Sequence, residues 1–207
     1  MKAVELSRFG LDQLQLTELA EPSPGPGEVL VKMQAASVNP RDYQIVAGHF
    51  TPNVPFPLIP LSDGAGEVVA LGEGVSRVGV GDLVTPMFFP DWLSGEALAG
   101  ERQRSLGLEL PGTLREYAVF PESAVVRAAS HLSPEEAACY VCAGITAWTS
   151  LVTRSGIGSG DWVLVQGTGG VAMMGLQLAR ALGARVIALS SSDERLEQAS
   201  SLGALSL

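Results

Sequence analysis

The residues best suited to chemistry are Gly167-Thr168-Gly169-Gly170-Val171-Ala172. They fit G-x-G-x-x-A, a spacing that accepts a dinucleotide's diphosphate. The first glycine permits a tight turn, the second lets the main chain approach the ligand, and the small third residue lets a helix pack close to its strand. The N–H groups that open such a helix lack partners within it, and the aligned peptide dipoles behind them favour an anion. About 20 residues further on, an NAD site would carry an acid for the ribose hydroxyls. This chain has Ser190-Ser191-Ser192 there, with Arg195 one helical turn beyond. The missing carboxylate removes a charge that would repel a 2′-phosphate, and Arg195 could pair with one, so NADPH is the expected cofactor and NADH the alternative. The same residues also read as a helix start, with Ser191 as cap and Glu194 completing a box to it. Both readings stay open.

The elements that would hold this turn can be read around it. Trp162-Val163-Leu164-Val165-Gln166 is a continuous apolar run, as expected of a strand buried on both faces. Val171, Met174, Leu178 and Leu182 recur at helical spacing, and Gly183 stands where that helix would stop. A second buried strand is expected at 185–189 and a second helix at 193–202. Strand, helix, strand, helix in this order predicts a parallel βαβ crossover, with the second strand left as an unpaired edge and apolar faces left open. Upstream, to about residue 125, short apolar runs such as Val29-Leu30-Val31 and Asp82-Leu83-Val84 are broken by Gly and Pro at barrel-like spacing. Ser133-Pro134-Glu135-Glu136 then combines a cap, a proline at the first helical position and a capping-box glutamate. The expected fold is therefore α/β with a β-barrel: a barrel over 1–127, then an incomplete doubly wound parallel sheet over 128–207. The segment 90–112 carries no clear pattern.

Composition narrows the function classes. The net charge of -9 and pI near 4.7, with Lys and Arg scattered, leave no basic stripe for a phosphate backbone, so nucleic acid is not an expected partner. Charge at Lys2 and Glu5 precedes any leader-like apolar core, and no run approaches a bilayer span, so a cytoplasmic protein without membrane partners is expected. The two cysteines form Cys139-Tyr140-Val141-Cys142, but their helical setting argues against a thioredoxin-like redox pair.

Several stretches beyond the glycine turn resemble one family over nearly the whole chain. They are Pro24-Gly25-Pro26-Gly27-Glu28-Val29, Ala36-Ser37-Val38-Asn39-Pro40-Arg41-Asp42, Asp63-Gly64-Ala65-Gly66-Glu67-Val68, Val80-Gly81-Asp82 and Thr146-Ala147-Trp148. Together they are similar to the medium-chain alcohol dehydrogenase and quinone oxidoreductase family. That resemblance implies a GroES-like barrel followed by a Rossmann domain, and a family chain that runs on well past residue 207. In zinc members the metal is held at the positions of Asn39, Ser62 and Cys142. Only Cys142 is a ligand type kept here, so no zinc or other metal is expected, and Cys142 reads as a small buried side chain.

By the same resemblance, Asn39 would stand beside the reacting atoms and donate to the substrate oxygen, with Tyr43 adding a hydroxyl and Asp42 organising the loop. Asn39-Pro40 is equally a plain turn. Asp63 takes the place of a carboxylate behind the metal, or belongs to an ordinary Asp-Gly turn. Thr146 matches the threonine beside the nicotinamide, or is a helix-interior threonine bonded to its own backbone. The expected reaction is hydride transfer between a nicotinamide and a small carbonyl, enone or quinone, with zinc-free alcohol oxidation as the runner-up. Phe88, Phe89, Trp92 and Tyr43 suggest an apolar substrate pocket or barrel core. A homodimer is an allowed assembly. A catalytically dead fragment serving as an interaction module is the competing reading of a different class.

Overall fold

The computed structural model describes residues 1–97 and 104–206; 98–103, within the unpatterned segment, lie outside them. The chain divides into two units, Met1–Val141 and Cys142–Leu207.

In the first unit, β1 (Lys2–Leu6) pairs antiparallel with β2 (Leu14–Glu18). A five-stranded antiparallel sheet follows. It comprises β3 (Glu28–Ser37), β4 (Asp63–Leu71), β5 (Leu83–Pro86), β6 (Tyr117–Pro121) and β7 (Val125–Arg127), in the order β6-β3-β4-β5-β7. The β3–β4 register slips between Leu30 and Val31 and again between Met33 and Ala35. Such bulges bend a strand and raise its twist, which curls this sheet into a half-barrel. Val29, Val31, Val68, Val84, Phe120 and Val125 fill its concave side, so the expected barrel stands as an open, curled sheet. Helix α1 (Pro40–Val46) leaves the end of β3 and packs Ile45 and Val46 against Leu6, Leu58 and Leu108. Helix α2 (Pro134–Ala138) carries the expected box: Ser133 Oγ accepts from Glu136 N–H, and the Glu136 carboxylate accepts from Ser133 N–H at 2.8 Å. Its Ala137 and Ala138 pack on Ala65 of β4.

In the second unit, α3 (Ile145–Trp148) runs into the wide π-type turn Thr149–Arg154. Then come β8 (Trp162–Gln166), α4 (Gly170–Ala181), β9 (Arg185–Leu189), α5 (Asp193–Ser201) and the short β10 (Leu205–Ser206). All three strands are parallel, in the order β10-β9-β8. The expected crossover is present, but four details differ from the sequence reading.

First, β8 is buried on one face only. Val163 and Val165 are inside, whereas Trp162 and Leu164 are 55% and 53% exposed, because α4 covers a single side of the sheet. Second, the packing stripe of α4 is Ala172, Gly175, Leu176 and Ala179 rather than Val171, Met174, Leu178 and Leu182. Small side chains let the helix axis settle close to the strands, so they face the sheet and the larger residues are displaced outward. Third, β9 is the central strand: β10 adds along one side, and the outer strand is β8. Fourth, α5 is capped by Ser192, whose Oγ accepts from Arg195 N–H. A cap at 192 puts Arg195 where a box would need Glu or Gln, so Glu194 cannot complete one and Ser191 is freed from that duty.

Candidate functional site

The glycine turn has the geometry of a ligand cradle. β8 ends at Gln166, and Gly167 turns with φ 87°, a left-handed conformation in which a side chain would be strained. Gly167 N–H donates to the Leu189 carbonyl at 2.8 Å, which fixes the turn against the end of β9. Gly169 then precedes α4 with no side chain capping the helix start, so that end is available to an anion. A Cβ built on Gly167 or Gly169 would meet no atom within 4 Å, so the space over the turn is open. A Cβ on Gly170 would touch Ala143 at 3.5 Å, on the helical stretch below.

This turn and the end of β9 enclose an open groove of about 470 Å³, lined by Gly167, Thr168, Leu189, Ser190, Ser191 and Arg195. Thr168 and Ser190 hydroxyls lie 3.3 Å apart, and Ser190 Oγ also accepts from Ser192 N–H at 3.3 Å. Ser190 and Ser192 thus serve the backbone, while Ser191 and Arg195 are exposed on the groove. No described acid lines it. Thr146 is exposed on α3, and its carbonyl accepts from Ser150 Oγ at 2.8 Å. Val171 opens α4 and is 44% exposed.

In the first unit, Asn39, Asp42 and Asp63 gather where β3 gives way to α1 and β4 begins. Asn39 is the residue before α1, not part of a free turn, and Pro40 takes the first helical position, where its missing N–H costs nothing. The Asp42 carboxylate reaches back to accept from Asn39 N–H at 2.7 Å, which makes it the loop organiser expected. Asp42 is buried, and burial pushes its carboxyl above the usual range, against the opposing pull of the Asn39 backbone hydrogen bond and of Arg41. The Asn39 amide nitrogen and Asp42 Oδ1 are both buried without a hydrogen-bond partner among the described residues.

Asp63 opens β4, and so does not sit in a turn. It is buried, accepts from Ser62 Oγ at 2.7 Å, and has its carbonyl bound by Thr113 Oγ1 at 2.9 Å. Tyr43 is 52% exposed on α1.

Arg41, quoted in the sequence but given no role there, tethers α1. Its guanidinium donates to the Leu106 carbonyl at 3.1 Å and to Ser105 Oγ, and stacks over Phe88 at 4.7 Å from the ring centroid. Phe88 and Phe89 form an edge-on pair with centroids 4.6 Å apart. Only an isolated arginine between proline and aspartate marks this tether in the sequence; its hydrogen-bond partners lie over 60 residues away.

Comparison with known proteins agrees with this geometry. Residues 25–130 match the family model of the alcohol dehydrogenase GroES-like domain, and residues 170–207 match that of the zinc-binding dehydrogenases. A zinc-type alcohol dehydrogenase-like protein of Schizosaccharomyces pombe is 43% identical over 94% of this chain and 57% of its own length. A crystal structure of an NAD-dependent alcohol dehydrogenase superposes with TM-score 0.89 at 37% identity, covering all of this chain and 63% of the other. A quinone oxidoreductase of Pseudomonas syringae pv. tomato superposes with TM-score 0.77 at 29% identity, over all of this chain and 58% of its own. The chain thus spans about 60% of the length of the relatives it matches.

Proposed function

The chain belongs to the alcohol dehydrogenase GroES-like domain family, and from that premise we propose that it serves an NAD(P)H-dependent oxidoreductase acting on a small carbonyl, enone or quinone. The observation that carries this reading is the cradle at Gly167–Gly169: open space over two glycines, an uncapped helix start, and a groove with polar walls beside it. A nicotinamide bound there supplies or accepts the hydride.

The protein's own groups bind and orient. The amides opening α4 hold the diphosphate, and Ser191 and Arg195 meet the adenosine ribose. Arg195, with no acid lining the groove, favours a 2′-phosphate and hence NADPH. The buried Asn39 amide, which has hydrogens to give and no acceptor among the described residues, donates to the substrate oxygen as charge develops there. Asp42 holds the Asn39 backbone, and Arg41 holds α1 against the 105–106 segment. Tyr43 and Thr146 are proposed to flank substrate and nicotinamide, and Asp63 to stiffen the start of β4.

Zinc does not fit the donor set. The family's ligand positions carry the Asn39 amide, the Ser62 hydroxyl and Cys142, whereas a catalytic zinc takes three thiolate, imidazole or carboxylate ligands. The Ser62 hydroxyl, moreover, is already engaged as a donor to Asp63. No step is therefore routed through a metal. Alcohol oxidation is the second reading, favoured by relatives named alcohol dehydrogenases.

Titrating the chain with NADPH while following nicotinamide fluorescence tests the core of the proposal. Saturable enhancement is expected, and none at millimolar cofactor overturns it. Arg195→Gln should weaken NADPH about tenfold and leave NADH unchanged, about 1.4 kcal/mol for one lost charge-assisted contact. Turnover of simple enones and quinones that survives a chelator supports the metal-free reading; activity abolished by chelator and restored by zinc refutes it.

A further inference from the structure

Arg115 is a charge without a counter-charge. It lies beside β1, bridged through Ala3. Its guanidinium Nε is buried with no hydrogen-bond partner among the described residues, and no described carboxylate pairs with it. Burial alone lowers its pKa, to about 10, with no opposing acid to restore it. It is still a cation at neutral pH. The residue as a whole is half-buried, so the cost falls on the Nε–H, which has lost water without gaining an acceptor.

The side chain lines a groove of about 340 Å³, near the lower end of the range of small-ligand pockets. Lys2 supplies a second cation to the wall, and Val4, Leu16 and Met33 supply hydrocarbon, with Leu16 69% exposed. Glu116 is the only acid in the lining, and its carboxylate already accepts from Lys2 N–H at 2.7 Å. The wall therefore has a net positive charge and a mainly apolar surface. None of its lining residues belongs to the groove at the glycine turn.

We propose that this groove binds a small organic monocarboxylate, its head on the Arg115 guanidinium and its hydrocarbon against Leu16, Val4 and Met33. A guanidinium's planar fork matches a carboxylate with two parallel hydrogen bonds, and Arg115 lines the groove where such a carboxylate would enter. Apolar walls with a single such fork suit a fatty or branched-chain acid better than a phosphate, whose three charged oxygens would face mostly hydrocarbon.

The test is calorimetric titration of the 207-residue chain with sodium hexanoate, hexanol and inorganic phosphate. Saturable hexanoate binding, absent with hexanol and at least tenfold weaker in Arg115→Gln, supports the site. Equal binding by hexanol, tighter binding of phosphate, unchanged binding in Arg115→Gln, or no saturation by about 10 mM each overturns it. Leu16→Ser, a change on an exposed side chain, keeps the fold and should weaken hexanoate more than acetate; equal weakening removes the apolar wall from the proposal. Circular dichroism melts of Arg115→Gln separate lost binding from lost structure, since discarding an uncompensated buried charge should leave the melting temperature unchanged or raised.

Discussion

Glycine does opposite work on β4 and at the turn after β8. On β4, a Cβ at Gly66 would collide with the Lys32 carbonyl and lie 2.8 Å from Met33 Cα, and one at Gly64 would sit 2.9 Å from Thr113 Cβ. Backbone and side chains fill the space that a larger residue would claim. At Gly167 and Gly169 the same hypothetical atom meets nothing within 4 Å. The first pair is glycine because the sheet leaves no room. The second pair lines open space and, unlike open loop glycines such as Gly74 or Gly79, stands at the start of a helix that no side chain caps. Sequence spacing alone does not separate the two uses; the atoms around each position do.

Three substitutions probe that contrast. Gly66→Ala should be the most damaging, because the blocking atoms are main chain of β3 and cannot swing away. A loss of about 3 kcal/mol or more is expected in urea unfolding, as for severe overpacking; a variant within 0.5 kcal/mol of the parent would show that β3 gives way. Gly169→Ala should divide binding from stability. With φ -79° and ψ 177° it sits in extended backbone that alanine adopts freely, so the melt should be unmoved, while a methyl placed against the diphosphate weakens NADPH about tenfold or more. Equal affinity in parent and variant would place the diphosphate elsewhere.

The smallest effect belongs to the packed side. Asp42 has a folded-state pKa raised above its usual value of 3.8, so its contribution to stability is complete below that value and is lost as pH rises through the folded pKa. Asp42→Asn should flatten the pH dependence of unfolding across that window, with at most about 1 kcal/mol of change at pH 7. A slope identical to the parent would assign the titration to another group.

What could be read in advance follows from the range of the interactions involved. The turn at 167–172, the cap at Ser133 and the stop at Gly183 are local, set by backbone conformation within a few residues, and the structure has all three. One- or two-sided burial of β8 is not legible, since four apolar residues in a row look alike whichever face is covered. The stripe of α4 was misassigned because hydropathy weights large residues, whereas close contact with the sheet selects Gly175 and Ala179. The β10–β9 pairing rests on a two-residue strand too short to show a pattern, and the isolation of Arg115 depends on chain segments far apart in sequence. The candidate site divides in the same way: the cradle shows as a motif, while the unpartnered Asn39 amide emerges only from packing.

One feature of the outer strand sets how the chain meets its surroundings. Arg185 holds its guanidinium 5.3 Å from the centroid of Trp162, its register partner across β8 and β9. The largest apolar ring on that strand is therefore still more than half exposed, but with a cation held beside its face. Hydrocarbon laid over the start of β8 would have to strip water from that charge as well as cover the ring, a cost that a neutral partner in place of Arg185 would not impose.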